Sequence, residues 1–463
     1  MKTNLLKDNI TKLIFKLSLP MIVAQLINLL YNIVDRIYIG NYKDVGLTAI
    51  GGVGACFPII IIISAFAALF GMGAPLAAIA LGKKDVEDAE KNLNTSFILL
   101  VLSSIIIIPL MLVFKEPILY AFGANEINFE YANEYITIYI IGTPFVMLTL
   151  GLNQYITCQG KALYSMVTVI IGAVINIILD PIFINGFDMG VSGAALATII
   201  SQLISALYII LFLSGKNSLI KIKPFKYKLE SRYVTPILFL GLSPFIMQST
   251  EALVQISFNF QIKRYILDLD LQTLYLSSMT VLISIMSLVN MPLQGLAQGT
   301  QPIISQNYGA GLTDRAKEAS RKLILYCLVF SFAFVGIIML LPNVFISIFN
   351  KSTELIELTR RLIRLFLIGM AFMGIQIGCQ NSFLALGKSK ISLILALLRK
   401  IILLIPLTFI LPLFMGSDGI YVAETTADIL AITITLICYL CLFNKYLNNN
   451  VIFNKTELEN NYE

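Results

Sequence analysis

Twelve long apolar stretches run through this sequence, and they decide what the chain can fold into. Each is about 20 or more residues long, which a helix needs to cross the roughly 30 Å hydrocarbon core of a bilayer. The chain is 57% hydrophobic and only 13% charged, so it cannot hide its apolar surface in a water-soluble core. We predict an all-α polytopic membrane protein, with the first to twelfth spans at 13–39, 46–81, 93–114, 131–157, 161–184, 190–213, 233–264, 275–304, 318–348, 354–386, 390–413 and 418–446.

Lysine and arginine fall mainly in the loops of one side. The termini and the even-to-odd loops hold about 22 of the 33 basic residues, and the opposite loops hold about 7. Because basic loops stay cytoplasmic, both termini are predicted to lie in the cytoplasm of a bacterial cell. The predicted parts are an amino-terminal six-helix lobe at 1–213, a basic cytoplasmic linker at 214–232, a carboxy-terminal six-helix lobe at 233–447 and a polar tail at 448–463.

The two halves of the chain repeat each other. An offset of 227 positions (309 − 82) joins Gly82 to Gly309, Pro75 to Pro302, Gly142 to Gly369 and Gly160 to Gly387. Six spans in each half make the repeats parallel, with an axis along the membrane normal. Two such lobes predict a central cleft that opens to either side in turn.

Several function classes are disfavoured by missing motifs. The chain has no histidine, which removes HExxH zinc sites and Ser-His-Asp triads. Gly387-Lys388-Ser389 ends like a phosphate-binding loop, but Ser382 stands where that motif needs its first glycine. No basic tract with interleaved aromatic residues suggests nucleic acid. We therefore expect no enzyme activity, no metal and no nucleic-acid partner, and a monomer in contact with lipid and small molecules.

Five motifs in a fixed order resemble the multidrug and toxic compound extrusion (MATE) family. They are L-S-L-P-M-I…Y-N-I-V-D-R-I-Y-I-G at 17–40, G-M-G-A-P-L-A-A-I-A-L-G at 71–82, N-I-I-L-D-P-I-F-I at 176–184, G-V-S-G-A-A-L-A-T at 190–198 and Q-G-L-A-Q-G-T-Q-P-I-I-S-Q-N-Y-G-A-G at 294–311. The resemblance extends from about residue 13 to 446. It implies a V-shaped pair of six-helix bundles that exports mostly cationic, amphipathic compounds. It also implies inward flow of sodium or protons as the driving force, with no cofactor beyond that ion.

Carboxyl groups inside predicted spans are the strongest functional candidates, because ionised groups are costly in lipid. Asp35 lies late in the first span, and Asn176 and Asp180 share a face of the fifth by their i, i+4 spacing. Two carboxylates with nearby amide and hydroxyl oxygens suit a sodium ion or a carried proton. The alternative is that Asp35 has a structural role, for example paired with Arg36.

The family resemblance places a cation site in the amino-terminal lobe, formed by the first-helix acid and the N-x-x-x-D motif of the fifth helix. Asp35, Asn176 and Asp180 match it residue by residue, with Asp35 and Asp180 as transient sodium ligands. Thr198 and Tyr139 match more loosely. The predicted coupling site therefore consists of Asp35, Tyr139, Asn153, Asn176, Asp180 and Thr198.

The carboxy-terminal half does not duplicate this acid pattern, because the position equivalent to Asp180 is Leu407. Glu251 in the seventh span resembles an acid found in some branches of the family, and we expect it to serve substrate-cation recognition or coupling. An acid often found in the tenth helix of the family has no counterpart here. Candidate substrate-binding residues are Glu251, Gln255, Gln376, Gln380, Met286 and Met291, the methionines because they adapt to varied ligands.

A second group of charges is predicted between the last two spans. Glu424 and Asp428 lie one turn apart in the twelfth span, and Arg399 and Lys400 in the eleventh are available partners. Either this cluster is functional, or it is a satisfied buried ion pair.

Three other function classes compete with ion-coupled drug export. One is a related flippase for lipid-linked sugars, which usually has extra helices and a more basic cleft. Another is a different solute carrier, such as an uptake system. A membrane enzyme or receptor is disfavoured by the missing catalytic motifs and by the lack of a sizeable extramembrane domain.

Overall fold

The computed structural model describes residues 4–42, 46–223, 226–349 and 352–459. Within these ranges the chain is helical, with no strand. Among the described residues, ten helices are long and apolar enough to cross a membrane, and two bent helix pairs bring the number to twelve. The predicted all-α fold of about twelve spans is confirmed.

The first six spans follow the predicted order. Their helices are Ile10–Gly40, Gly46–Gly71, Ala74–Gly82, Val86–Ala121, Phe129–Ile141, Thr143–Thr157, Ala162–Pro181 and Gly190–Ser214. The second span combines the second and third of these helices, and the fourth span is a pair bent by 57° at Gly142. The fifth span continues into a π-helical turn, Ile182–Gly186.

The last six spans have more irregular helices. Their helices are Ser231–Tyr265, Leu269–Gly309, Thr313–Leu340, Pro342–Ser347, Thr353–Leu367, Met373–Ala385, Ser389–Leu397, Ile405–Ile410, Pro412–Met415 and Ser417–Glu459. The tenth span bends by 42° through the 3-10 turn Gly369–Phe372, and the eleventh contains the π-helical segment Leu398–Leu404. The helix of the twelfth span runs on through most of the predicted polar tail 448–463.

Both helix bends occur at glycines that lie close to a neighbouring span. A Cβ atom on Gly142 would lie 2.2 Å from Cδ1 of Ile199 in the sixth span. A Cβ on Gly369 would lie 2.7 Å from Cβ of Asp428 in the twelfth. The two glycines are 227 positions apart, so the repeat found in the sequence is also a repeat of the backbone.

The turns of the two halves match in the same way. Gly160 and Gly387, again 227 positions apart, have φ angles of 79° and 70°. Lys84 and Gly311 keep the same offset, with φ angles of 64° and 74°. Left-handed backbone is uncommon for a residue with a Cβ atom, so Lys84 takes it because the shared turn requires it.

The chain forms two compact units, each of which includes the start of a helix from the other half. The first unit contains Leu19–Gln248, and the second contains Leu5–Ser18 together with Ser249–Glu463. In the second unit, Asn307 Nδ2 donates to the carbonyl oxygen of Leu5 at 3.0 Å. The predicted lobes 1–213 and 233–447, with the linker 214–232 between them, stay a prediction.

The described part of the linker is attached to the third span within the first unit. Lys223 Nζ lies 2.6 Å from Glu90 Oε2, and the backbone amide of Lys221 donates to Glu90 Oε1 at 3.1 Å. Asn94 Nδ2 donates to the carbonyl oxygen of Lys221 at 2.9 Å. These bonds hold the chain beside the first unit before the seventh span begins.

Candidate cation site and charged network

Three of the predicted coupling residues are joined directly in the first unit. Asn176 and Asp180 lie one turn apart on the fifth span, and both are fully buried. Asn176 Nδ2 donates to Asp180 Oδ1 at 3.1 Å and to Thr198 Oγ1 of the sixth span at 3.4 Å. A single amide group therefore orients both the carboxylate and the hydroxyl.

Asp35 of the first span lies in the same part of the first unit as Asp180. Its side chain is buried and lies within electrostatic reach of Asp180. Tyr42 Oη donates to Asp188 Oδ1 at 3.0 Å, which ties the end of the first span to the segment that follows the fifth. The two acids predicted to act together are thus brought close together by the fold.

Two stacked tyrosines of the fourth span complete this cluster. The rings of Tyr135 and Tyr139 are 6.2 Å apart and nearly parallel, and both residues are buried. Tyr135 lies within electrostatic reach of Asp35. The predicted coupling site omits Tyr135, although its i, i+4 spacing from Tyr139 places it on the same helix face.

Several buried oxygens in this unit have no hydrogen-bond partner among the described residues. They include Asp35 Oδ1, Asn153 Oδ1, Asn176 Oδ1, Asp180 Oδ2 and Gln202 Oε1. Leaving a buried acceptor unpaired costs about 1–3 kcal/mol. Carboxylate and amide oxygens are the ligands that hard cations take, so these residues fit a bound sodium ion or a carried proton.

The alternative for Asp35 is a structural role, for example a pairing with Arg36, and it stays a prediction. Arg36 is exposed, and its guanidinium carbon lies 5.7 Å from the ring centre of Phe57. No ion pair joins the two side chains in the part of the chain that the structure describes. Adjacent residues of a helix point in different directions, which separates them.

Two predicted site residues make the same contact in the two halves. Asn153 Nδ2 donates to the carbonyl oxygen of Ser165 at 3.3 Å, and Gln380 Nε2 donates to that of Ser392 at 3.4 Å. Asn153 and Gln380 are 227 positions apart, and so are Ser165 and Ser392. Ser165 precedes Asn176 by three helical turns, so Asn153 bonds well away from the Asn176 amide. The repeated bond favours a helix-linking role for both amides.

The second unit holds a network of five ionisable side chains, which we call the charged network: Glu251, Arg399, Lys400, Glu424 and Asp428. Arg399 Nε donates to Asp428 Oδ1 at 2.7 Å, and its Nη2 donates to Glu424 Oε1 at 3.1 Å. Lys400 Nζ pairs with Glu251 Oε1. The predicted cluster of the last two spans therefore exists and also includes the seventh.

The other candidate substrate residues lie apart from these bonds. Gln376 is buried with its Oε1 unpaired, whereas Gln255, Met286 and Met291 are half-buried. Within the described ranges no hydrogen bond joins Gln255 or Gln376 to Glu251. The described residues also contain no group of three or more His, Cys, Asp or Glu side chains that could hold a metal ion.

The family of the chain follows from its sequence. The MatE family model matches residues 20–182 and 249–410, one match in each half. Together with the helix arrangement, this defines a multi-pass membrane transporter, which is not an enzyme class. The chain belongs to the MatE family of multidrug efflux transporters.

Relatives match the chain over almost its full length. Multidrug export protein MepA of Staphylococcus haemolyticus is 25% identical over 454 residues, which are 98% of this chain and 97% of the relative. MepA of Staphylococcus aureus is 24% identical over 436 residues, 94% of each chain.

Solved structures show the same fold. One is a multidrug resistance MATE family transporter in an outward-facing conformation, with a TM-score of 0.88 and 23% identity over 96% of this chain and 99% of that one. Another is a MOP superfamily transporter from Pyrococcus furiosus, with a TM-score of 0.89, 23% identity and the same coverage. For that protein, reversed polarity of the binding pocket suggests a different function.

Proposed function

We propose that this protein exports cationic, amphipathic drug-like compounds across a bacterial cell membrane in exchange for sodium ions or protons. The observation that carries the proposal is the buried pair Asp35 and Asp180, each with a carboxylate oxygen that has no hydrogen-bond partner in the described chain. The export direction is supported by relatives that are multidrug export proteins.

The coupling follows from the cost of burying charge. Two carboxylates in a lipid-embedded bundle repel each other, and a bound cation relieves both the repulsion and the desolvation. A conformation that closes over these acids is therefore favoured when the cation is bound. If substrate binding favours the opposite conformation, an inward cation gradient drives substrate outward.

The fold alone does not choose between drug export and another cargo. The transporter from Pyrococcus furiosus has this fold and is suggested to have a different function. Asp35 and Asp180 favour ion-coupled export over a lipid-linked sugar flippase, because a flippase substrate carries negative charge and is better served by basic residues.

The test is flux of a fluorescent cation in proteoliposomes, with sodium and pH gradients imposed separately. We expect one of the two gradients to drive uptake of the fluorescent cation into the proteoliposomes, through molecules inserted with their cytoplasmic side outward. Asp35→Asn and Asp180→Asn should each lower the driven flux at least tenfold while the protein still folds and inserts. Glu126→Gln, which changes an exposed acid of the same unit, is the matched control and should keep the wild-type flux.

Two results would remove the proposal. If neither gradient drives flux by the wild-type protein, ion coupling is wrong. If both asparagine variants transport at the wild-type rate, the coupling site lies elsewhere.

A further inference from the structure

The charged network does not balance within itself. It contains three acids, Glu251, Glu424 and Asp428, and two bases, Arg399 and Lys400. With all five groups ionised it carries one excess negative charge. Asp428 is fully buried, yet its Oδ2 has no hydrogen-bond partner among the described residues. In that fully ionised state the network is one positive charge short.

The two members of the Glu251–Lys400 pair differ in their access to the surroundings. The side chain of Glu251 is 41% exposed, whereas that of Lys400 is only 6% exposed. Glu251 is therefore the member of the pair that is more accessible to an incoming cation. Lys400 also lies within electrostatic reach of Glu424, which shares Arg399 with Asp428.

The backbone around Lys400 is unusual as well. Arg399 and Lys400 both lie in the π-helical segment Leu398–Leu404 of the eleventh span. Wider π-helical turns are rare and often occur at functional sites. Here the segment places consecutive basic residues toward acids of two different spans, Arg399 toward the twelfth and Lys400 toward the seventh.

We propose that Lys400 is an internal competitor for the positive charge of the substrate. A singly charged substrate pairs with Glu251, and the Lys400 ammonium moves to the under-compensated pair Glu424 and Asp428. The long, flexible lysine side chain suits such an exchange, whereas the rigid fork of Arg399 suits a fixed support. The inference rests on the proposed export of cations and names the charge that the site accepts.

The net charge of the charged network predicts the charge of the ligand that it binds. With all five groups ionised, the network carries −1 when empty and is neutral with one substrate charge bound. Replacing Lys400 by Met gives −2, which fits a doubly charged ligand. Replacing Glu251 by Gln gives a neutral network that has no need of a cation.

The test compares two dyes with the same ring system, ethidium with one positive charge and propidium with two. Their dissociation constants are measured by fluorescence with purified protein in neutral detergent at one fixed pH. We expect Lys400→Met to strengthen propidium binding relative to ethidium binding at least tenfold, measured as the ratio of the two dissociation constants. Glu251→Gln should weaken ethidium binding at least tenfold.

Two controls separate charge selection from structural damage. Lys400→Arg keeps the positive charge that sets the dye preference, whether or not its side chain can make the exchange, and should keep the ratio within threefold. Lys263→Met removes an exposed charge at the end of the seventh span and should also keep it. Each variant is compared with the wild type by its thermal unfolding midpoint, and Lys400→Gln replaces Lys400→Met if the latter does not fold.

The proposal is overturned if Lys400→Met, or Lys400→Gln in its place, folds and has the wild-type ratio of dissociation constants. It is also overturned if Glu251→Gln binds ethidium as tightly as the wild type. The measurement involves no ion gradient. A failure of ion coupling would appear in the vesicle flux of the wild-type protein, and a failure of this proposal would appear only in the dye ratio.

Discussion

Asn176 is the residue that connects the parts of the cation site. Its single NH₂ group serves both Asp180 and Thr198, so its removal leaves a carboxylate oxygen and a hydroxyl without their donor. Its own Oδ1 has no partner within the described chain and stays available for a cation. One side chain thus positions one ligand of the ion and supplies another.

We expect Asn176→Ala to weaken binding of the coupling cation by a factor of ten or more. A hydrogen bond to a charged group contributes about 1.5–3 kcal/mol, and every 1.4 kcal/mol corresponds to about tenfold in affinity. The measurement is the sodium or proton concentration that half-saturates driven flux. Thr168→Val on the same span is the control, because Thr168 Oγ1 bonds within its own helix. An unchanged half-saturating concentration in Asn176→Ala would contradict this role.

The residues of the cation site could be predicted because their pattern is local. Asn176 and Asp180 are one helical turn apart, and Asp35 is a carboxyl group inside a predicted span that also matches the family's first-helix acid. The partner of Lys400 could not be predicted in this way, since Glu251 is distant in the chain and the pairing depends on how the seventh span packs on the eleventh. Sequence alone suggested Glu424 or Asp428 as its partner.

At the scale of helices, the bonds from Asn153 and Gln380 are the clearest sign of the repeat. Each joins the second half of a bent span to the start of the next span. Because both side-chain amides donate to the backbone carbonyl of an equivalent serine, the two bonds indicate the same structural role. Asn153 and Gln380 therefore link helices, although their residue type and location in a span first favoured a ligand role.

We expect Asn153→Ala and Gln380→Ala to lower stability by similar amounts, about 1 kcal/mol each, because each loses one ordinary hydrogen bond. Thermal unfolding of the purified variants is the measurement, and driven flux should stay within threefold of the wild type. A tenfold loss of flux in Asn153→Ala without a change in unfolding would instead make it a cation ligand.

Hydropathy predicted the spans well but not their internal breaks. The ranges 131–157 and 354–386 were each predicted as one span, and each is a bent pair. The bends depend on contacts that a sequence does not display, namely Gly142 against Ile199 and Gly369 against Asp428. The π-helical segment Leu398–Leu404 was missed for the same reason, because its basic residues bond to other spans.

At the scale of the whole molecule, the exchange of helix starts could not be predicted either. The sequence repeat places a boundary between the halves at 214–232. Contacts assign Leu5–Ser18 to the second compact unit and the start of the seventh span to the first. Bonds to loops and termini decide this, such as those from Asn307 to Leu5 and from Glu90 to Lys223.

The orientation of the molecule is testable in whole cells. Basic loops predict that Asn217 lies inside and that Glu126 lies outside. In a background with Cys441 replaced by Ser, a membrane-impermeant maleimide should label Glu126→Cys in intact cells. Labelling of Asn217→Cys should be at least tenfold stronger in permeabilised cells than in intact cells. The reverse pattern would place both termini outside.

The most direct test of the account is equilibrium binding of the coupling ion to the purified protein, without substrate or gradient. Radioactive sodium binding, and proton binding in a sodium-free titration, are measured for the wild type, Asp35→Asn, Asp180→Asn and the double variant. We predict about one sodium ion, or one exchangeable proton, per wild-type chain and loss of that equivalent in each variant. A full equivalent retained by the double variant would contradict the claim that Asp35 and Asp180 hold the ion.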